Sequence, residues 1–285
     1  MKHLSFGIRD RIKRRLQKAT DRYRVRRMLD FSAMNRIHNI NKASLELVNE
    51  WISDEVWSDS VYQYGLPNEI RHIIDCDIGS SPTTDALLAL SSMLTKPVSY
   101  LEIGVSVGKN FWQVLNYLSN STLTGFDIEE INPVLRERLQ YASRVEFPTF
   151  QESLKKTPSS LTRLSYPATQ NQVHYLCGDI FDSRVWEQLK KQNYNLIFSD
   201  AFHSADALYI ESAQIIKNDL IDSGTVIIMR DELHNDMELA FRGICKDLCA
   251  YRSHHKNVWF MASLKGWLGD NWEDHPIGFF ISQRK

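Results

Sequence analysis

The sequence predicts an α/β fold: a doubly wound, mostly parallel seven-stranded sheet with a reversed C-terminal strand, plus a helical N-terminal extension. Three observations carry this. From Val98 onward, short apolar runs alternate with stretches of helical spacing, which forces parallel strands joined by helices on both faces. The first such run ends in a turn bearing Gly104 and Gly108 and leads into a helix. The last two runs, Asn257–Ala262 and Ile277–Ile281, have no helix between them, so they pair antiparallel and one strand is reversed.

The elements follow in order. Val98–Ile103 is a short apolar run of the kind buried on both faces of a sheet. Phe111, Trp112, Val114 and Leu115 then fit one face of a helix. Thr122–Asp127 is a second strand ending in an acid, and Pro133 to about Ser143 a helix. Arg144–Asn171, with three prolines and many Ser and Thr, reads as an inserted loop or lid. Val173–Gly178 is the third strand and Val185–Gln192 a helix. Tyr194–Ser199 is the fourth strand, followed by a helix from Ala205 to Leu220. Ser223–Met229 is the fifth, followed by a helix from Met237 to about Ala250. His254-His255 falls in a polar turn, and Trp267, Trp272 and His275 in the loop between the last two strands, where they wall a pocket or anchor the loop.

The chain before Val98 is different. Residues 1–30 carry eleven Lys or Arg against three Asp, a net charge of +8, while the remaining 23 bases and 32 acids give −9. Ile8, Ile12, Leu16, Ala19 and Tyr23 recur at helical spacing among these bases, the pattern of a basic amphipathic helix. Such a helix contacts an anionic membrane or nucleic acid, or packs its stripe on the body or a sister subunit. The narrow stripe, with no Trp or Phe near its middle, favours packing and a homo-oligomer. Residues 1–83 are read as this extension and 84–285 as the main domain. No apolar run reaches the ~18 residues of a membrane span, and no signal-peptide core precedes the basic helix. Cys76, Cys177, Cys245 and Cys249 lack zinc spacing and suit a reducing cytoplasm.

The glycine turn reads Glu102-Ile-Gly104-Val-Ser-Val-Gly108. It lacks the G-x-G-x-x-G of a dinucleotide fold. The spacing E/D-x-G-x-x-x-G resembles the first motif of the class I S-adenosylmethionine-dependent methyltransferases. That resemblance places Glu102 near the methionine ammonium and Gly104 and Gly108 under the cofactor. Asp127, in GFDIEE, takes the ribose-binding position, with a helix N-cap as the alternative reading. Gly178-Asp179-Ile180 is similar to the family's GD motif, so Asp179 would meet the adenine amino group and Ile180 pack on the ring; otherwise it is a turn closing the strand. Ser199-Asp200-Ala-Phe-His203-Ser204 resembles the D-x-x-H segment of the macrocin O-methyltransferase-like sugar O-methyltransferases.

Within that family the Asp binds a divalent cation and the His is a general base. An adjacent acidic pair after the fifth strand supplies further ligands. The resemblance therefore implies Asp200, Asp231 and Glu232 as Mg²⁺ ligands and His203 as catalytic base, although the order of the pair departs from the family pattern. The alternative is a His that caps or packs at a helix start. The expected activity is methyl transfer from S-adenosylmethionine to a hydroxyl of a small, sugar-like or secondary-metabolite acceptor. Two rivals stand beside it: a nicotinamide-dependent oxidoreductase, and a non-catalytic binding protein that works through its basic N-terminus. The resemblance spans Thr84 to the C-terminus.

Overall fold

The computed structural model of the chain describes residues 2–49, 82–94, 96–106, 108–148, 158–190, 192–230, 236–268 and 271–284. Two helices open it, α1 (Lys2–Met28) and α2 (Phe31–Asn49). Then come α3 (Pro82–Ser91), β1 (Ser99–Ile103), α4 (Lys109–Tyr117), β2 (Thr122–Asp127) and α5 (Pro133–Glu137). The chain continues through β3 (Gln140–Glu146), β4 (Ser160–Tyr166), β5 (Asn171–Cys177), α6 (Ser183–Glu187), β6 (Tyr194–Ser199) and α7 (Ala205–Lys217). It closes with β7 (Ile221–Arg230), α8 (Asp236–Tyr251), β8 (His255–Leu268) and β9 (Asn271–Arg284).

The strands form one sheet in the order β3-β4-β5-β2-β1-β6-β7-β9-β8. The five central strands, β5-β2-β1-β6-β7, run parallel. β9 is antiparallel to β7 and to β8, which is the expected reversal. The chain starts at β1, moves outward through β2 and β5, and returns to β1's other side with β6. That reversal of direction is the switch point of a doubly wound sheet, where crossovers diverge and leave a crevice at the strand carboxyl ends. Two apolar layers sandwich the sheet. One includes Tyr100, Phe111, Trp112, Val226, Phe260 and Phe279; the other includes Leu101, Phe126, Trp186, Ile197, Ile215 and Phe241.

The sheet has nine strands rather than seven. Within Arg144–Asn171, the expected loop, the described residues include strand: the end of β3 and β4 form an antiparallel pair, and β4 continues the sheet against β5. The helix expected to run to about Ser143 stops at Glu137. β3 escapes a periodicity reading because it is an edge strand, with its residues exposed or half-buried on both faces, so nothing selects an apolar alternation. β4 buries only Leu161 and Leu164 among its large apolar side chains, in a Ser/Thr-rich run. At the other end β8 and β9 are longer than expected. Trp267 and Trp272 are register partners within the hairpin and His275 pairs with Leu264, so none of the three lies in a loop. His255 likewise opens β8 instead of lying in a turn.

The N-terminal helices join the same body. Leu29, Met34 and Ile37 are buried in the first apolar layer, and Val25 and Met28 pack against it. The described members of the predicted stripe, Leu16, Ala19 and Tyr23, face solvent. α1 docks instead through Arg24, whose guanidinium lies over the Trp259 ring and donates to the Trp259 carbonyl. Arg242 flanks the same ring from α8 and lies 3.8 Å from Asp21. A face that docks through Arg24 on an indole and Asp21 near a guanidinium carries no apolar signature, which is why hydrophobic spacing does not mark the face that packs on the body. Among the described residues, no helix is long and apolar enough to cross a membrane.

Candidate active site

The carboxyl ends of β1, β2, β5 and β6 carry Glu102, Gly104, Asp127, Asp179 and Asp200, and the parallel pairing of these strands brings those ends to one edge of the sheet. Glu102 is the penultimate residue of β1 and fully buried. Its Oε2 accepts a 2.7 Å hydrogen bond from the Tyr100 hydroxyl, while Oε1 is buried with no partner among the described residues. Burial pushes its carboxyl well above the usual carboxylate range; the Tyr100 bond opposes this, and the charges of Asp200 and Asp127 add to it. A buried carboxyl with one orphaned oxygen is costly unless a donor or a cation comes to it.

Gly104 follows at φ +87°. Its N–H donates to Phe126 O at 2.8 Å, and Asp200 N–H donates to Ile103 O at 2.7 Å, so the end of β1 is stitched to both neighbouring strands. A Cβ on Gly104 would lie 2.4 Å from Asp200 O. The glycine is thus demanded by the chain leaving β6 as well as by its own left-handed backbone. Gly108, at φ +88°, is the N-cap of α4.

Asp127 holds this turn in place. Its Oδ2 accepts from both Val105 N–H and Ser106 N–H at 2.7 Å, and its Oδ1 accepts from Glu129 N–H at 3.0 Å. It caps no helix. Each carboxylate oxygen has more than one acceptor site, so a diol could share it with these amides. Asp179 Oδ1 accepts from Phe181 N–H at 2.8 Å. Ile180 is buried in the second apolar layer, and its carbonyl accepts from Trp186 Nε1 at 2.8 Å; the exposed side chain of this turn is Phe181.

After β6, His203 Nε2 lies 4.0 Å from Asp200 Oδ1; the imidazole side chain is 53% exposed and the carboxylate 12%. His203 is not a helix cap, because Ser204 fills that role, its hydroxyl accepting from Ala207 N–H at 3.1 Å. Asp231 and Glu232 lie outside the described residues. Among the described residues no group of three His, Cys, Asp or Glu is placed to hold a metal ion.

Two groupings escaped the sequence reading. Glu211, inside α7 and buried, accepts from the Ser199 hydroxyl at 2.5 Å, bracing the strand end that carries Asp200. The only sequence signal is an acid on the apolar side of a helix, which spacing alone does not distinguish from a surface acid. Asp85, in the first turn of α3, is buried between His38 Nδ1 at 2.9 Å and Asn41 Nδ2 at 2.7 Å. Its neighbour Thr84 donates to Asn110 Oδ1 at 2.7 Å, at the start of α4. Trp112 Nε1 donates to Ser44 O at 3.1 Å. α2 is therefore tied across the helices that flank the glycine turn, by partners about forty to seventy residues apart that no local pattern pairs.

No family model and no curated protein matches the sequence. Among solved structures the chain is similar to the O-methyltransferase TomG from Streptomyces achromogenes in complex with SAM, at 12% identity over 93% of this chain and 96% of that one, TM-score 0.47. It is also similar to an O-methyltransferase from Bacillus cereus in complex with SAH, at 15% identity over 74% and 96%, TM-score 0.39. A third is the MycE methyltransferase of the mycinamycin biosynthetic pathway in complex with Mg, SAH and mycinamycin VI, at 12% identity over 80% and 53%, TM-score 0.42. Likeness at this level decides nothing about the chemistry, which rests on the residues themselves.

Proposed function

We propose that the chain is an S-adenosylmethionine-dependent O-methyltransferase acting on a hydroxyl of a small molecule. The observation that carries this is the buried Glu102 carboxyl, with Oε1 unpartnered, beside a glycine turn held by Asp127. An amino-acid ammonium supplies what Oε1 lacks, and a ribose diol can share Asp127. Asp179 and Ile180 are kept as the adenine end. The cofactor supplies an electrophilic sulfonium methyl when bound. The chain's own residues orient the acceptor and take its proton. His203 is the base, half-exposed at the crevice, and Asp200 stabilises the imidazolium it becomes.

Asp200, Asp231 and Glu232, three hard carboxylate ligands, would hold a divalent cation, which would lower the pKa of an acceptor hydroxyl beside it. Residues 84–285 are proposed to carry the chemistry, with 1–83 as a covering extension. Exposed Leu16 and Tyr23 on α1 suit a homo-oligomeric contact better than a nucleic acid or membrane surface. Cys177, Cys245 and Cys249 are in no disulfide among the described residues, which suits a reducing, cytoplasmic setting.

The test is calorimetry with S-adenosylmethionine, its demethylated product and NAD. The expected result is micromolar-range binding of the first two and none of NAD. Binding of NAD alone would replace this reading with an oxidoreductase, and binding of none would leave a non-catalytic protein.

A further inference from the structure

Phe202 is 63% exposed and Phe181 45%, each two residues beyond an acid that follows a strand's carboxyl end, Asp200 and Asp179. Their rings meet edge to face, centroids 6.2 Å apart at 73°. They come from strand ends that are not neighbours. Phe181 follows β5 and Phe202 follows β6, with β2 and β1 between them. At about 4.8 Å per strand the two ends are roughly 14 Å apart, so the loops after β5 and β6 must turn toward each other for the rings to meet. Ile180 is buried in the same turn that leaves the larger Phe181 in water. Exposed rings in mutual contact at a crevice mark a surface that a ligand covers.

We propose that Phe181 and Phe202 bind the acceptor, and that the acceptor is an aromatic hydroxyl, a phenol of one or more fused rings, rather than a sugar. This rests on the methyltransferase reading above. Phe202 lies between Asp200 and His203 in the chain, and the proposal puts a ring packed on it within reach of the half-exposed imidazole. Among the described residues the Ser204 hydroxyl caps α7 and Asp179 Oδ1 accepts from the Phe181 amide, while the side chains these two loops leave in water are aromatic. A phenolic hydroxyl, with a pKa of about 10, is within reach of an imidazole base, whereas an aliphatic alcohol is far weaker as an acid. In the step, the phenolic O–H proton passes to His203 as the oxygen attacks the sulfonium methyl. One C–O bond forms, one C–S bond breaks with its electron pair going to sulfur, and the products are the aryl methyl ether and the neutral thioether.

The experiment uses full-length protein saturated with S-adenosylhomocysteine and titrated with 2-naphthol, followed by the probe's own fluorescence. Saturable binding is expected, undisturbed by excess methyl glucoside. Phe202→Ala and Phe181→Ala should each weaken it about tenfold or more, with S-adenosylhomocysteine affinity unchanged. Phe202→Leu, which keeps apolar volume without a ring, should recover only part. Variants that bind 2-naphthol as well as the parent overturn the proposal, and so does full recovery by leucine. Loss of S-adenosylhomocysteine affinity in the alanine variants assigns the pair to the cofactor's purine instead. A parent protein that binds no S-adenosylhomocysteine strikes the methyltransferase reading itself and takes this proposal with it.

Discussion

Glu102→Gln keeps the shape of the buried side chain and an acceptor for the Tyr100 hydroxyl, and removes only the titration. In the folded chain without ligand the Glu102 carboxyl is raised, first by burial, opposed by the Tyr100 hydrogen bond, then raised further by Asp200 and Asp127. A folded value above the unfolded one means that the native state holds the proton more tightly. Its contribution to stability is complete below the unfolded value of about 4.3 and is lost as pH rises toward the folded value, at about 1.4 kcal/mol per unit of difference. Glutamine removes that loss, so the ligand-free variant should melt above the parent at pH 8, by about 2–4 °C for each kcal/mol.

Ligand binding should show the reverse preference. An ammonium against Oε1 favours the carboxylate, so binding should release a proton from Glu102 at any pH between its ligand-bound and ligand-free values. Calorimetry with S-adenosylhomocysteine in two buffers of different ionisation enthalpy reads that proton directly. The variant should lose the proton release from this site. It should also bind more weakly by about 1.5–3 kcal/mol, the worth of a charge-assisted bond, or roughly 10- to 150-fold in Kd. A variant with the parent's affinity and the parent's buffer dependence would refute the reasoning.

Other outcomes follow from the same geometry. Asp127→Ala should weaken cofactor binding by about 1–3 kcal/mol in calorimetry, and lower the thermal midpoint as well, because the Val105 and Ser106 amides lose their acceptor. His203→Ala should lower turnover about 10²- to 10⁴-fold with cofactor affinity nearly unchanged, in a methylation assay on an accepted hydroxyl compound. Full activity in excess chelator would remove Asp231 and Glu232 from the chemistry without touching His203. Deleting residues 1–30 should leave cofactor binding in place but cost about 2–4 kcal/mol of stability, because buried Leu29 and the packed Val25 and Met28 leave with α1; denaturant unfolding beside calorimetry checks both halves. Gly104→Ala should be the most damaging single change, since its Cβ meets the Asp200 carbonyl and its φ is left-handed; soluble yield and thermal midpoint report it.

What could be read along the chain was whatever local pattern encodes. The parallel core follows from apolar runs alternating with helical spacing, and the reversed last strand from two runs with no helix between them. Glu102, Gly104, Asp127 and Asp200 were legible because a doubly wound sheet always presents its strand carboxyl ends on one edge, so position in the pattern implies position in space. What only the tertiary structure decided lies where partners are distant or a face is unburied. β3 reads along the chain as the end of a helix and the start of a loop, because an edge strand needs no alternation. α1 packs through Arg24 and Asp21, since an indole and a guanidinium on other elements make that face favourable. Asp127 proved to hold the glycine turn, and Phe181 rather than Ile180 proved to be the exposed side chain, because a loop's path over the sheet chooses which of two adjacent residues is buried. The His38–Asp85–Asn41 tie and the Ser199–Glu211 bond depend on helices docking across the sheet, and a buried carboxylate is recognisable only once the group that satisfies it has arrived.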